Sequence, residues 1–263
     1  MKTKAILYLT SCLALLPPAA SAHDAACADA DLLLGQMSAK LAAAKSFSFA
    51  ATREIDTALL EGRDLPEKAR ISVAVQRPNK LAAHATSNFG SRRVVFDGRT
   101  LSLLDERPNV YVSVPMRTSL DGLVEVLDAK YGFTPPLAEF ALSNPYAEFH
   151  QQAQSVTYLG RGKATMCPLG IFGVECHRLA LKGKVADAEL WIGVADQLPR
   201  KLVATFHRNG QPQVRIAFSS WNLSAPVSAN EFVFSPPQGA DKIEMWTTAQ
   251  MASARAKAGV KKN

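Results

Sequence analysis

Apolar and polar residues alternate through residues 187–223, and this alternation predicts three consecutive strands. Residues 188–194, 200–207 and 213–221 each place apolar side chains on one face and more polar ones on the other. Asn209-Gly210, between the second and third strands, is a strong hairpin signal. Strands with one apolar face are typical of a curved antiparallel sheet that is covered on one side.

The same alternation predicts nine further strands. The first six follow one another at intervals near ten residues, as in sandwiches and barrels. The nine are residues 46–59, 69–76, 81–87, 92–97, 100–105, 110–114, 155–163, 174–182 and 231–234.

Helical periodicity appears in two longer stretches and three short ones. Residues 24–45 are rich in Ala, and their apolar positions recur about every 3.6 residues. Ser119–Tyr131 has the same period, with Ser119 as a candidate N-cap. The short segments are 137–142, 144–152 and a helical turn within 239–246. Since no linker or repeat divides the chain, the pattern predicts one α+β domain over residues 23–263.

Residues 1–22 have the pattern of a signal peptide rather than of folded structure. Lys2 and Lys4 precede the apolar run Ala5–Leu16, and Ala20-Ser21-Ala22 forms a cleavage site. The alternative is a lipobox, in which Cys12 becomes the lipidated first residue, although the apolar run before Cys12 is very short. Either reading predicts export to the periplasm, and no later stretch has the length of a membrane span.

The net charge and its distribution along the chain argue against nucleic acid as a partner. The formal net charge is +7, and part of it lies in residues 251–263, which we predict to be a disordered basic tail. Elsewhere basic residues are mixed with acids and lack interleaved aromatics, so nucleic acid is not an expected partner.

Three cysteines remain in the exported chain. Cys167 and Cys176 flank a Gly- and Pro-containing loop, and in an oxidising compartment they are a plausible disulfide across a hairpin. Cys27 is then unpaired, and its pairing with either of the other two stays open.

The sequence contains no pattern of catalytic or metal-binding residues. None of its five histidines pairs with another His, Cys or carboxylate at metal-ligand spacing, and no G-x-S-x-G nucleophile motif occurs. His177 follows Cys176, but neighbours on a strand point to opposite faces. We therefore predict neither an enzyme nor a metal site, and no cofactor.

Short motifs over nearly the whole exported chain resemble the DUF2092 family of predicted periplasmic proteins. In the second half they are Gly160, Cys176–Ala180, Glu189–Ile192, Leu198–Val203, Trp221–Leu223 and Phe232–Ala240; in the first half, Phe96–Leu101, Asn109–Tyr111 and Pro136–Ala138. This family is similar to the LolA/LolB lipoprotein carriers. The resemblance implies an unclosed antiparallel β-barrel of about eleven strands wrapped over a few helices. It implies no catalytic residues.

The lipoprotein carriers hold acyl chains in the concavity of such a barrel. The corresponding hypothesis here is a non-catalytic periplasmic protein that binds an apolar small molecule, a lipid or a lipoprotein acyl chain. The ligand is expected between the sheet and the helices at 24–45 and 119–152. The expected lining is Phe47, Phe49, Ile71, Val73, Val75, Leu190, Ile192, Leu202, Phe206, Ile216 and Phe218.

Two other interpretations compete with the ligand hypothesis. Apolar stripes of this kind more often form an ordinary protein core than a cavity. The alternative function is an envelope interaction or stress-sensing protein that uses the barrel as a scaffold and binds a protein partner.

Overall fold

The computed structural model describes residues 22–133, 135, 137–165, 173–224 and 227–260, with side chains for those between 29 and 254. The predicted signal peptide lies outside the described residues except for Ala22, so both candidate cleavage sites remain predictions. Within the described part of the chain, no helix is long and apolar enough to cross a membrane.

The described residues form twelve strands, and these build a single sheet. They are β1 (Ser46–Ile55), β2 (Glu67–Gln76), β3 (Lys80–Ser87), β4 (Gly90–Phe96), β5 (Thr100–Asp105), β6 (Val110–Pro115), β7 (Ala153–Thr165), β8 (Gly173–Gly183), β9 (Ala186–Gly193), β10 (Pro199–Phe206), β11 (Gln213–Asn222) and β12 (Asp241–Lys242). Their order is β12-β6-β5-β4-β3-β2-β1-β11-β10-β9-β8-β7.

The sheet is an unclosed barrel. All neighbouring strands are antiparallel except the two-residue β12, which runs parallel to β6. Strands β7 and β12 are the two ends of the order and do not pair with each other. The predicted class, an α+β fold with an unclosed antiparallel barrel over helices, is confirmed.

The strand register separates an apolar inner face from an outer face of small and polar residues. One inner row consists of Phe49, Val73, Ala83, Val94 and Leu103. The adjacent row, which points outward because side chains alternate along each strand, consists of Ser48, Ala74, Ala82, Val95 and Ser102.

In the described part of the chain, four helices accompany the sheet: α1 (Ala22–Ala43), α2 (Leu120–Tyr131), α3 (Pro145–Gln152) and α4 (Thr248–Val260). Short 3₁₀ turns occur at Thr57–Leu59, Ala138–Phe140 and Ala229–Phe232. Helix α2 begins as predicted, because the Ser119 hydroxyl accepts a 3.2 Å hydrogen bond from the Gly122 amide.

Helices α1 and α2 pack their apolar faces on the inner face of the sheet. In α1, Ala30, Leu34, Met37 and Leu41 are fully buried, and their spacing of four, three and four residues keeps them on one side of a helix. These side chains, the buried residues of α2 and the inner face of the sheet form one continuous core. Much of the concave side is therefore filled by the protein itself.

Two predictions for the C-terminal region are wrong. Residues 231–234 are not a strand: the chain forms the 3₁₀ turn Ala229–Phe232 and then runs on without a ladder partner. Residues 239–246 contain no helical turn, and the two-residue β12 lies there instead. The alternating pattern of residues 231–234 arises because one side of this segment is buried: Phe232 is 3% exposed, whereas Val233 is 63% exposed.

Most of the residues predicted to be a disordered basic tail lie in helix α4, and their disorder stays a prediction. Helix α4 extends through Val260, and only residues 261–263 of the predicted tail lie outside the described range. The sequence T-A-Q-M-A-S-A-R-A-K-A-G-V contains five alanines beside Gln, Met, Arg and Lys. These are the residues with the highest helix propensity, so composition favours a helix despite the high charge.

Residues 227–240, which we call the strap, cross the outer face of the sheet. The Val227 amide donates to the Ser46 hydroxyl at 3.3 Å at one end. At the other end the Asp241 amide donates to the Asn109 carbonyl at 3.0 Å. Between these points Phe232 is buried and Phe234 packs on Tyr111 with ring centroids 5.6 Å apart. The strap thus connects β11 at the centre of the sheet to β12 at its edge.

Candidate functional site: an apolar cavity on the inner face

Among the described residues, the helices leave a sizeable space on the inner face of the barrel. A cavity of about 710 Å³ lies between the inner faces of β8, β9 and β10 on one side and the Ala138–Phe140 turn with α3 on the other. Its lining is Glu139, Phe149, Gln151, Gln152, Ala153, Gln154, Leu181, Gly183, Lys184, Val185, Ala186, Ala188, Leu202, Ala204 and Phe206. Ligand cavities in proteins are of this size and of largely apolar lining.

Small side chains on two neighbouring strands create the space. Ala188 on β9 pairs with Ala204 on β10. Two residues further along each strand, Ala186 pairs with Phe206. One register step the other way, Leu190 faces Leu202, and both of these larger residues are buried. Large side chains thus fill the wall at Leu190 and Leu202, and small ones leave space toward the start of β9 and the end of β10.

Helix α3 supplies the opposite wall and is held in place at both ends. The Asn144 side chain accepts a 3.1 Å hydrogen bond from the Ala147 amide and caps the helix, and Pro145 occupies its first turn. On the side facing α1, Asp31 accepts a 2.8 Å bond from the Tyr146 hydroxyl and contacts the His150 ring at 2.8 Å. This arrangement directs Phe149, which is 6% exposed, into the cavity wall.

The Ala138–Phe140 turn is anchored by aromatic contacts. The ring of Phe140 is fully buried and meets Phe149 edge-on at 5.5 Å and Phe218 at 4.9 Å between centroids. Phe140 therefore joins the turn to both α3 and the β11 wall. The residue before it, Glu139, points into the cavity.

Glu139 is the acidic residue of the cavity lining. Its pKa is raised to about 7: burial is the main cause, the negative charge of Glu148 also raises the pKa, and a hydrogen bond to its own backbone lowers it. Among the described residues, no Lys, Arg or His forms an ion pair with it within 4 Å. The carboxyl is thus poised to change protonation state near neutral pH, facing a space rather than a protein partner.

The mouth of the cavity is polar. Gln151, Gln154 and Lys184 lie on its rim with Val185, which is 66% exposed. The lining thus combines exposed amide and ammonium groups, aliphatic and aromatic walls, and one carboxyl, that of the half-buried Glu139. Such a gradient suits an amphiphile better than a uniformly polar or uniformly apolar molecule.

Two of the eleven residues predicted to line a ligand site, Leu202 and Phe206, border this cavity. Leu202 is 8% exposed and Phe206 is half-buried. The other nine are buried in the core, at 8% exposure or less, and do not border the cavity: Phe47, Phe49, Ile71, Val73, Val75, Leu190, Ile192, Ile216 and Phe218. These nine residues lie in the hydrophobic core, as the interpretation of the apolar stripes as an ordinary protein core expects.

Sequence reasoning missed the features that create the cavity. The alternation identified the strands and placed Ala204 on the apolar face with Leu202 and Phe206. It gave no weight to the small size of Ala186, Ala188 and Ala204, which leaves the space. Glu139 had a detectable signal, since it is the one charged residue within L-A-E-F-A-L, residues 137–142. A charge inside an apolar segment of this kind points to a special environment.

Of the two cysteines in the predicted disulfide, the structure describes only Cys176. Cys176 is a buried free thiol whose Sγ donates to the Val174 carbonyl at 3.3 Å, and burial raises its pKa. Cys167 and the side chain of Cys27 lie outside the described part of the chain, so the pairing stays a prediction. Across the residues that are described, no group of three or more His, Cys, Asp or Glu is placed to hold a metal ion.

The strap leaves two hollows on the outer face, of about 700 and 790 Å³. The first is floored by small side chains such as Ser48, Ser72 and Ala74, and the second lies between the strap and β3–β6. The lining of the first is mainly polar, whereas that of the second is more apolar than polar. Phe49 and Val73 also border the first hollow, and Tyr111, Phe232 and Phe234 border the second.

Fold and cavity together define a class of protein: an unclosed antiparallel barrel whose concave side holds helices and one apolar cavity. A family model described as predicted periplasmic protein (DUF2092) matches residues 30–246. The chain belongs to this family, which confirms the resemblance, and the protein is periplasmic.

Several solved structures have a similar fold at low sequence identity. An uncharacterised conserved protein from Thermus thermophilus is 13% identical with a TM-score of 0.48, over 82% of this chain and 98% of that one. MucB from Pseudomonas aeruginosa, solved in complex with MucA, is 17% identical with a TM-score of 0.42; the match covers 79% of this chain and 61% of that one. A LolA superfamily protein from Nitrosomonas europaea is 12% identical with a TM-score of 0.35, over 76% and 96%. No curated protein sequence matches the chain.

Proposed function

We propose that this periplasmic protein binds the apolar chain of a lipid or lipoprotein in the inner-face cavity and catalyses no reaction. The observation that carries the proposal is the cavity of about 710 Å³ between α3 and strands β8–β10, with Phe149, Leu181, Leu202 and Phe206 in its walls. Each methylene group transferred from water into such walls contributes about 0.8 kcal/mol. A long chain thus gains enough to offset the cost of its immobilisation.

The composition of the lining supports binding rather than catalysis. Among the residues that border the cavity, the polar side chains are Glu139, Lys184 and three glutamines. None of these is a hydroxyl or thiol nucleophile paired with a base, which is the arrangement that acyl-transfer chemistry needs. Leu202 and Phe206 are the residues of the expected lining for which we propose direct ligand contact.

Binding of N-phenyl-1-naphthylamine, an uncharged reporter that fluoresces in apolar surroundings, tests the proposal. Delipidated protein should bind it saturably in the micromolar range, and dodecanol should displace it. Absence of saturable binding contradicts the proposal.

One matched pair of variants tests whether the reporter binds in the inner-face cavity. Ala204→Phe fills the cavity from the β10 wall, whereas Val203→Phe adds the same ring on the opposite face of the same strand, because adjacent residues alternate. We expect Ala204→Phe to weaken reporter binding at least tenfold (about 1.4 kcal/mol) and Val203→Phe to leave it unchanged. Equal loss in both variants would place the reporter elsewhere.

The alternative function, an envelope interaction or stress-sensing protein, predicts a different result. Affinity purification from the envelope would then recover one protein partner, and mass spectrometry of an organic extract would find no lipid. The cavity favours the ligand function, so we expect the extract to contain an amphiphile in stoichiometric amount.

A further inference from the structure

The inner-face cavity is bordered by a carboxyl group that has no cationic partner among the described residues. This group belongs to Glu139. An unpaired carboxyl in apolar surroundings costs folding free energy, so its presence suits a role toward a bound molecule. The neighbouring turn residues, Ala138 and Phe140, are buried core positions.

We propose that Glu139 sets the ligand class of the cavity and selects an amphiphile with a protonated amine next to its apolar chain. This inference rests on the proposed function, since it requires that the cavity bind an apolar chain. An ammonium group is the complement of a carboxylate that has no partner, and a charge-assisted hydrogen bond in this environment is stronger than one between neutral groups. A fatty-acid carboxylate in the same position would meet like charge.

The charges around Glu139 are consistent with this choice. On α3, Glu148 adds negative potential. On the facing walls, the β9 and β10 residues that border the cavity are Ala186, Ala188, Leu202, Ala204 and Phe206, none of which carries charge. The one cation of the lining is Lys184, which is exposed at the rim between β8 and β9. Solvent screens the exposed Lys184 more strongly than it screens the half-buried Glu139.

Protonation of Glu139 gives the selection a pH dependence of defined sign. The pKa near 7 means that Glu139 is mainly ionised at pH 8 and mainly neutral at pH 5.5. The amine of an alkylamine stays protonated over this range. The preference for the amine should therefore be large at pH 8 and fall as the pH decreases.

Competition at a fixed chain length tests the inference. Dodecylamine, dodecanol and dodecanoate are titrated against bound N-phenyl-1-naphthylamine at pH 8 and at pH 5.5. At pH 8 we expect dodecylamine to compete about tenfold better than dodecanol, as a hydrogen bond to a charged group allows, and dodecanoate to compete worst. At pH 5.5 the advantage of dodecylamine should shrink to a few-fold or less.

Two variants connect the preference to Glu139. Glu139→Gln keeps the shape of the side chain and should bind the reporter while losing the preference for dodecylamine at both pH values. Glu125→Gln, the same change at an exposed position of α2, should keep it. Groups such as His150 and Asp31 remain in both variants, so any contribution they make to the pH profile cancels in the comparison.

The possible failures are distinguishable. If no competitor displaces the reporter, or the reporter does not bind, the proposed function itself fails. If all three competitors displace it equally at pH 8, the cavity binds chains without selecting the head group, and this inference alone fails. A preference for dodecanoate that disappears in Lys184→Gln would assign the head group to the rim and overturn the role of Glu139.

Discussion

The guanidinium of Arg77 donates a 2.7 Å hydrogen bond to the carbonyl of Ala141, which ends the 3₁₀ turn that carries Glu139. The same group donates to the carbonyls of Ala44 at 3.2 Å and Leu41 at 3.4 Å, at the C-terminal end of α1. Burial lowers the pKa of Arg77, and the carboxylate of Asp121 opposes this change. One side chain at the end of β2 therefore joins the sheet, helix α1 and the cavity wall.

Replacing Arg77 by Met should destabilise the protein strongly, because three backbone carbonyls lose their donor while the apolar stem is kept. We expect a loss of about 3 kcal/mol in the free energy of unfolding, or roughly 6–12 °C in Tm for a domain of this size. The measurement is urea unfolding at pH 7. Arg92→Met is the control, since Arg92 is 65% exposed, and its effect should stay within about 0.5 kcal/mol. Equal midpoints for the two variants would show that the Arg77 bonds contribute nothing.

Much of the sheet was predictable because burial on one side gives a period of two wherever a strand occurs. Every strand from β1 to β11 coincides with a predicted segment to within a few residues, apart from the end of the first, where residues 57–59 form a 3₁₀ turn. The same signal failed at residues 231–234. Phe232 and Phe234 both pack on the outer face, and only the hydrogen-bond ladder is missing, which a hydrophobic pattern does not report.

The position of the cavity was not predictable for a different reason. Phe47 and Phe206 both lie on the apolar faces of strands, yet Phe47 is fully buried in the core while Phe206 borders the cavity. The difference depends on where α1, α2 and α3 lie over the sheet. Amphipathic periodicity predicts that a helix covers a sheet, but not which strands it covers.

Glu139 should make the stability of the ligand-free protein depend on pH. Its pKa is raised from 4.5 to about 7 in the folded state. Below pH 4.5 the carboxyl is protonated in both states and has no effect. Between pH 4.5 and 7 the unfolded state releases a proton that the folded state retains, so stability falls as pH rises, and the full cost is present above pH 7.

Glu139→Gln should therefore be more stable than the unmodified protein at pH 8, by about 2 kcal/mol, and equally stable at pH 4.5. This value is smaller than the full pKa shift would give, because Glu139 is partly exposed and solvent screens its charge. Hydrogen bonds from Arg215 and Lys182 lower the pKa values of Asp56 and Asp187, respectively. Protonation of these two groups in acid should destabilise both proteins equally. Urea unfolding at the two pH values measures the difference, and a stabilisation of the same size at pH 4.5 would contradict the assignment.

The cysteines give a prediction about export. If Cys167 and Cys176 pair in the periplasm, denatured protein that has not been reduced should react with iodoacetamide at Cys27 alone, and reduced protein at all three positions. Closing this short loop contributes about 2–3 kcal/mol, so Cys167→Ser should lower stability by that amount. Labelling of all three cysteines without reductant would contradict the pairing.

In the folded, reduced protein the thiol of Cys176 should react slowly. It is fully buried, and burial raises its pKa, so the reactive thiolate is scarce. Native labelling followed by peptide mass spectrometry measures this. Rapid modification of Cys176 before unfolding would contradict the burial.

Two adjacent strap residues test whether the strap contributes to stability. Phe232 is 3% exposed against the outer face, with the Lys80 ammonium 5.7 Å from its ring centre, whereas its neighbour Val233 is 63% exposed. Phe232→Ala should cost about 3 kcal/mol, at the low end for a buried phenylalanine because the strap can relax into the space. Val233→Ala should change stability by less than about 0.5 kcal/mol.

Limited proteolysis distinguishes local from global loss in Phe232→Ala. The strap is tied at its ends by the Val227–Ser46 and Asp241–Asn109 hydrogen bonds, so loss of its central contact should open residues between them first. We expect cleavage within 227–240 at protease concentrations that leave the sheet intact. Cleavage throughout the chain at the same concentration would mean that Phe232 stabilises the whole fold and that the strap does not open separately.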